Sequence, residues 1–409
     1  MNICFFSLVT CGHGIKGGME IHLKLLSKGL AERGHAVTII STLHPEGIEF
    51  EKIEGIRQYC LRNTIFGSKR KGWQIASLKK FIELDAVNKF DIICTISTAI
   101  PKKLFELAWK RKIPVAVISE GPTIMIILSE ARQTLSHRRG FKNLVKTILV
   151  FFYYYFFWEL LYKKYDAVIA VSESVSNDIQ KWHFVKNEKI HTIYNGIETS
   201  LFCPNNVQRE RVRKTFAIPN DESILLFFSF VTKQKGLHLL IKALPKILKT
   251  NNQVKLIVAG EGNYLAEAKQ LVGQLGLENY VVFTGHIPRE EAPDYINASE
   301  IFILPTLRQE GMPFSLLEAM SCQKPVIASK IGGITSVIDD GVNGLLVPPG
   351  NISKLIEKIN FLLNNKDFAD KLADSARKKV VQNFSHEKMI EETLKVFELA
   401  ITRKQAQGQ

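Results

Sequence analysis

The sequence predicts an α/β protein of two parallel-sheet halves, and three observations carry that expectation. Short all-apolar runs of strand length alternate with amphipathic helical patterns; the alternation occurs on both sides of a turn-rich segment; and glycines gather where strand-like runs hand over to helices. In the first half, Asn2 to Leu8, Ala36 to Ser41, Phe90 to Ile96, Pro114 to Ile118 and Asp166 to Val171 read as buried strands. Helical patterns at Met19 to Arg33, Trp73 to Asn88 and Pro101 to Lys112 separate several of them. In the second half the strands are Ile224 to Phe230, Val254 to Ala259, Tyr280 to Thr284, Ile301 to Leu304, Val326 to Ser329 and Gly344 to Val347. Continuous apolar runs mark strands covered on both faces, the condition of a parallel sheet flanked by helices. A hinge is expected from Asn195, Gly196, Ile197 and Glu198 to Phe202, Pro204, Asn205 and Asn206, where turn residues interrupt the pattern.

The domains are therefore expected at 1–203 and 204–384, each Rossmann-like, facing each other across a cleft of the kind that takes a ligand. The 409 residues, 46% hydrophobic and 23% charged, are enough for two cores of full size. Cys4, Cys11, Cys60, Cys94, Cys203 and Cys322 are scattered without a Cys-x-x-Cys pair, which predicts free thiols, a reducing cytoplasm and no zinc site. The strand-like run at Ile3 to Leu8 has no basic leader, so no signal peptide is expected. Most of the +14 net charge lies in residues 1–205, where 28 basic residues face 18 acidic ones. Clusters such as Lys69 to Lys71 and Lys110 to Lys112 face solvent by default. No zinc-finger or RNA-recognition signature accompanies the charge, so nucleic acid is not an expected partner.

Glu310 and Glu318 enclose Gly311, Met312, Pro313, Phe314, Ser315, Leu316 and Leu317. Gly311 and Pro313 disfavour helix up to that point, and Phe314, Leu316, Leu317, Ala319 and Met320 continue as a buried helix, which puts Glu310 in a loop and Glu318 on the helix. The N–H groups of a first helical turn form an anion site, and two carboxylates can accept hydroxyl hydrogen bonds from a sugar and a ribose. The competing reading is a solvated loop acid and a dipole-favoured acid near a helix start. The loop follows the apolar run Ile301 to Pro305, at the end of a strand where open α/β sheets bind ligands, and this favours the ligand site.

Gly17 and Gly18, before the first helix, would let backbone approach a phosphate or sugar; a tight turn is the plainer alternative. The loop is neither a Gly-x-Gly-x-x-Gly fingerprint nor a P-loop, which argues against dinucleotide and NTPase chemistry. Thr232, Lys233, Gln234, Lys235 and Gly236 form another strand-to-helix loop, where an ammonium can neutralise a departing diphosphate without a metal, or simply face solvent.

Taken in order, Gly17-Gly18, Asn195-Gly196-Ile197, Lys235-Gly236, Gly260-Glu261-Gly262, Glu310 to Glu318, Gly332-Gly333-Ile334 and the run Gly341 to Pro349 resemble the retaining glycosyltransferases of family 4, over essentially the whole chain. The resemblance implies the GT-B fold, a C-terminal helix over about 385–409 returning to the first domain, and transfer from a nucleoside diphosphate sugar with no cofactor or metal. It implies that Glu310 contacts the transferred sugar, Glu318 the ribose, Lys235 the diphosphate, and the backbone of Met312 to Leu316 the sugar and phosphates, with the base near Gly285, His286 and Ile287. The expected acceptor is a saccharide or lipid-linked saccharide in polysaccharide or glycolipid synthesis. A nucleotide-sugar epimerase of the same fold and a non-catalytic sugar-nucleotide-binding protein are the alternatives. The chain departs from the family at Phe230, where members carry Arg, leaving Lys233 to replace it, and at Ser119, Glu120, Gly121 and Pro122, where many carry His. Glu120 and His13 are the candidate acceptor-side or accessory groups.

Thr147 to Trp158 is an uncharged, aromatic-rich run too short to span a bilayer, which takes about 20 residues. With Arg138, Arg139, Lys142, Lys146, Lys163 and Lys164 beside it, residues 138–164 read either as a segment lying on an anionic membrane surface or as a helix packed on its own domain. The basic first half favours the membrane, so a cytoplasmic, membrane-peripheral enzyme is expected.

Overall fold

A computed structural model describes residues 1–10, 13, 17–69, 72–97, 99–121 and 159–406. The run 147–158 and Arg70, Lys71, Pro122, Arg138, Arg139, Lys142 and Lys146 lie outside the described residues. The chain forms two compact units, Met1–Gly196 with His386–Gln409, and Ile197–Ser385.

The first unit is built on an eight-stranded sheet. Its strands are β1 (Asn2–Phe6), β2 (Ala36–Ser41), β3 (Phe50–Ile53), β4 (Ile56–Cys60), β5 (Ile92–Ile96), β6 (Val115–Ser119), β7 (Ala167–Ala170) and β8 (Ile190–Thr192), in the order β3-β4-β2-β1-β5-β6-β7-β8. Neighbours pair in parallel except β3 with β4. That pair is a hairpin turning at Glu54 and Gly55, both with positive φ, the backbone a two-residue hairpin turn requires. β1, β5 and β6 are buried along their whole length, as central parallel strands are. The helix His386–Ala406 belongs to this unit: the Phe397 ring lies 6.5 Å from Phe5, and Lys404 Nζ meets Asp166 Oδ1 at 2.8 Å.

The second unit carries a six-stranded, wholly parallel sheet: β9 (Ser223–Phe228), β10 (Val254–Ala259), β11 (Val281–Gly285), β12 (Ile301–Leu304), β13 (Val326–Ser329) and β14 (Leu345–Val347), in the order β11-β10-β9-β12-β13-β14. Leu225, Phe227, Leu240, Leu244, Leu256, Val258 and Ile303 are among its fully buried core, each such side chain contributing about 1.5–3 kcal/mol of transfer free energy. The sheet grows outward from β9 in both directions, so a topological switch point opens between β9 and β12.

The boundary between the units falls earlier than the turn residues imply. Ile197 to Cys203 belong to the second unit, because the Ile197 N–H bonds Phe384 O at 3.0 Å and the buried Phe202 receives a 2.6 Å hydrogen bond from Ser321 on its carbonyl. For the same reason Phe384 and Ser385 close the second unit, and the last helix begins at His386. Among the described residues, no helix is long and apolar enough to cross a membrane.

Candidate active site

Lys235 and Glu310 come together at the second unit's switch point. After β9 the chain makes a short 3-10 turn, Lys233–Lys235, before the helix Leu237–Thr250; after β12 it runs to the helix Phe314–Ser321. The two loops are joined by backbone: the Leu307 N–H donates to Gln234 O at 2.7 Å. Gly236, at φ +79°, lies so near Pro305 that a Cβ there would sit 1.9 Å from its carbonyl oxygen. Only glycine combines that φ with that approach.

This register places Lys235 Nζ 2.9 and 3.0 Å from the two Glu310 carboxylate oxygens, while Thr306 Oγ1 donates to Oε1 at 2.8 Å. The Glu310 main chain is fixed as well, its carbonyl accepting from Gly333 N–H at 2.8 Å. Gly332, at φ +55°, approaches so closely that a Cβ would lie 2.4 Å from the same carbonyl. Glu310 is buried, and burial alone would raise its pKa. The charges of Lys235 and Arg308 and the hydrogen bonds from Lys235 and Thr306 outweigh that and hold the carboxyl below the usual carboxylate range. Its contribution to stability is therefore present above the ordinary carboxylate pKa and lost as the pH falls through the lowered one.

Glu318 lies on the helix, as its sequence position predicts, and is 2% exposed. Burial pushes its pKa up, aided by Glu198 and only partly offset by Arg289, whose Nη1 meets Oε1 at 2.5 Å. The sign is opposite to that of Glu310: stability declines as the pH rises from the ordinary carboxylate pKa through the raised one. Pro313 stands just outside the helix as its N-cap, with Gly311 and Met312 in the loop before it and Phe314, Ser315 and Leu316 in its first turn, where the Leu316 N–H donates to Pro313 O at 3.2 Å. Gly260, closing β10, donates its N–H to Gly285 O at 2.8 Å, with exposed His286 and buried Ile287 following. Lys233 is exposed in the turn beside Lys235. Among the described residues no group of three or more His, Cys, Asp or Glu is placed to hold a metal ion.

The first unit has its own switch point, between β1 and β5, and Gly17 and Gly18 open the helix Gly18–Glu32 after β1. Gly17 is in extended backbone open to any residue, and a Cβ there would meet only the end of the Glu20 side chain, at 2.9 Å. Gly17→Ala is therefore expected to change thermal stability by no more than about 0.5 kcal/mol in a melting measurement.

His13 is buried with both ring nitrogens engaged: Nδ1 lies 2.7 Å from Thr10 Oγ1 and accepts from the Thr10 N–H, and Nε2 faces the Leu43 carbonyl at 3.1 Å. The ring packs 5.1 Å from His44 and 5.4 Å from Phe66, so His13 joins loops together and presents neither nitrogen to a ligand. Glu120, after β6, is held on both oxygens: His22 Nδ1 lies 2.8 Å from Oε1, and Asn195 Nδ2 donates to Oε2 at 3.3 Å. His22 Nδ1 also faces Asn195 Oδ1 at 2.9 Å, so two acceptors fix the ring proton on Nδ1. The sequence reading missed His22, Arg289, Thr306 and Arg308. His22 was signalled by a polar residue in the apolar stripe with Leu25, Leu26 and Leu30, whereas no sequence pattern marks the other three.

Residues 208–379 match the model of the glycosyl transferases group 1, and residues 16–201 that of glycosyltransferase family 4. An uncharacterized glycosyltransferase of Methanocaldococcus jannaschii is 26% identical over 400 residues, covering 95% of each chain. The sucrose-phosphate synthase of Thermosynechococcus elongatus superposes with a TM-score of 0.79 at 21% identity, over 98% of this chain and 100% of that one. The Anabaena protein HepE, solved in complex with UDP-glucose, superposes with a TM-score of 0.73 at 21% identity, over 97% and 99%. With a family match on each unit and a parallel sheet beneath each, the chain belongs to the family 4, group 1 glycosyltransferases and has their GT-B fold.

Proposed function

We propose that the enzyme transfers a sugar from a nucleoside diphosphate sugar to a saccharide or lipid-linked saccharide acceptor, with retention of configuration and without a metal. The ion pair of part-buried Lys235 with buried Glu310 at the switch point carries this reading. An ammonium and a carboxylate 2.9 Å apart, set by two joined loops, offer opposite charges to the two ends of one donor. Lys235 meets the diphosphate, on which negative charge grows as the bond to the anomeric carbon breaks. Preorganised positive charge at that point lowers the barrier. Glu310, ionised and oriented by Thr306, accepts hydrogen bonds from the sugar hydroxyls and fixes the ring for attack. Glu318 takes the ribose hydroxyls, and the first turn of Phe314–Ser321 lies at the phosphates. The binding of UDP-glucose by the related HepE supports a nucleotide sugar as the donor class.

The first unit takes the acceptor, with Glu120 as its polar group, anchored by His22 and Asn195. Residues 138–164 rest on the cytoplasmic side of an anionic membrane, where exposed Lys163 and Lys164 meet lipid headgroups. Thermal melts with UDP-, GDP- and ADP-sugars test the donor. A ligand at 100 times its Kd stabilises by about 2.7 kcal/mol, so one nucleotide series is expected to raise Tm clearly. No shift with any of the three contradicts the proposal.

A further inference from the structure

Arg289, the ion-pair partner of Glu318, is left without a role by the reading above. It follows β11 in the loop that begins His286, Ile287, Pro288, and its side chain is only 10% exposed. The guanidinium lies over the buried Phe202 ring, 5.0 Å from its centroid, and Phe202 is itself held by Ser321 through its carbonyl. A planar fork pinned on a fixed aromatic face has little rotational freedom left. One arm, Nη1, donates to Glu318 Oε1 at 2.5 Å. The other, Nη2, is buried with no hydrogen-bond partner among the described residues. A buried donor left without an acceptor costs about 1–3 kcal/mol, an arrangement that makes sense where a ligand supplies the acceptor.

Glu318 has the complementary need. Among the described residues, Arg289 is the one hydrogen-bond partner of its side chain, and it engages only Oε1. Glu198 and Cys322 are further titratable groups that act on the carboxylate, and neither supplies positive charge. Arg289 is the group that lowers the Glu318 pKa against burial and Glu198, so its loss favours the protonated carboxyl, which offers a vicinal diol one acceptor oxygen fewer.

We infer that Arg289 is a positioning and specificity residue for the nucleoside: its Nη1 holds the Glu318 carboxyl turned toward the ribose diol, and its Nη2 donates to an oxygen of the nucleoside. This rests on the donor reading above. The site consequently selects ribonucleoside over 2′-deoxyribonucleoside diphosphates, because a deoxy ligand leaves the paired carboxylate and guanidinium without one of their partners.

The test is calorimetric titration of UDP, ADP and GDP and their 2′-deoxy forms from pH 6 to 8, on wild type, Arg289→Gln and Arg289→Lys, each checked by its thermal melt. Wild type is expected to prefer the ribo form of its nucleotide on the order of tenfold or more. Arg289→Gln is expected to lose most of that preference and to shift the pH midpoint of binding upward, with KM rising far more than kcat. Arg289→Lys is expected to restore the midpoint but not the full affinity, since it keeps the charge without the second arm. If Arg289→Gln does not fold, Arg289→Gln/Glu318→Gln, which leaves no bare charge, replaces it and is expected to lose the ribose preference. Ribose preference and pH midpoint unchanged in the folded variants would overturn the role of Arg289 alone. A wild type that binds none of the nucleotides overturns the donor reading and this inference with it.

Discussion

Lys235→Ala is expected to lower sugar transfer by about 10²–10³-fold, the effect of removing one preorganised group from a developing negative charge. It is also expected to cost stability, because it leaves Glu310 buried with its closest countercharge gone. Breaking a buried ion pair on one side typically costs about 3–5 kcal/mol, and Thr306 and Arg308 offset only part of that. The two effects separate in Lys235→Met/Glu310→Gln, which removes both charges: it is expected to melt nearer wild type than Lys235→Ala while remaining inactive. Stability at or below that of Lys235→Ala in the double variant would show that the pair does not act as a coupled unit. Urea unfolding together with a transfer assay measures both.

Gly236→Ala is the second large effect, and it touches no charge. The new Cβ would fall 1.9 Å from the Pro305 carbonyl oxygen, in a backbone conformation at φ +79° that alanine adopts only with strain. The loops after β9 and β12 must separate to admit it, breaking the Leu307 to Gln234 hydrogen bond that sets Lys235 beside Glu310. Loss of about 3 kcal/mol is expected from strain and disrupted packing, with donor affinity falling although every charged group remains. A variant that melts and binds like wild type would show that the loop contact does not set the site.

Much of this architecture is legible in the sequence where one physical signal dominates. β12 announces itself as an unbroken apolar run, and β1, β5 and β13 as runs broken only by Asn2, Thr95 and Ser329, because a strand covered on both faces has few polar positions to confuse the pattern. β3 and β8 do not, since one is largely exposed and the other is three half-buried residues at the sheet edge. The hinge residues were visible, but not that Ile197 and Phe202 bond and pack within the second unit, which depends on partners near Phe384 and Ser321. At the site, Glu310, Glu318 and Lys235 stand out through their spacing and the glycines beside them. Arg289 and Thr306 do not: an arginine in a loop becomes a partner only when the fold brings a distant carboxylate to it, here Glu318 from a helix, and Thr306 meets Glu310 only through the conformation of the loop they share. His13 shows the converse: a histidine beside glycines in a loop after a strand reads as a ligand group, yet the fold uses both of its nitrogens internally.

The most direct test of the account is calorimetric titration of UDP, GDP and ADP into wild type and into Lys235→Met/Glu310→Gln, after melts confirm that both are folded. One nucleotide is expected to bind wild type and to lose on the order of a hundredfold in affinity in the double variant, since charge-assisted contacts of about 1.5–3 kcal/mol each disappear. Equal affinity in the two proteins would contradict the placement of the donor at Lys235 and Glu310.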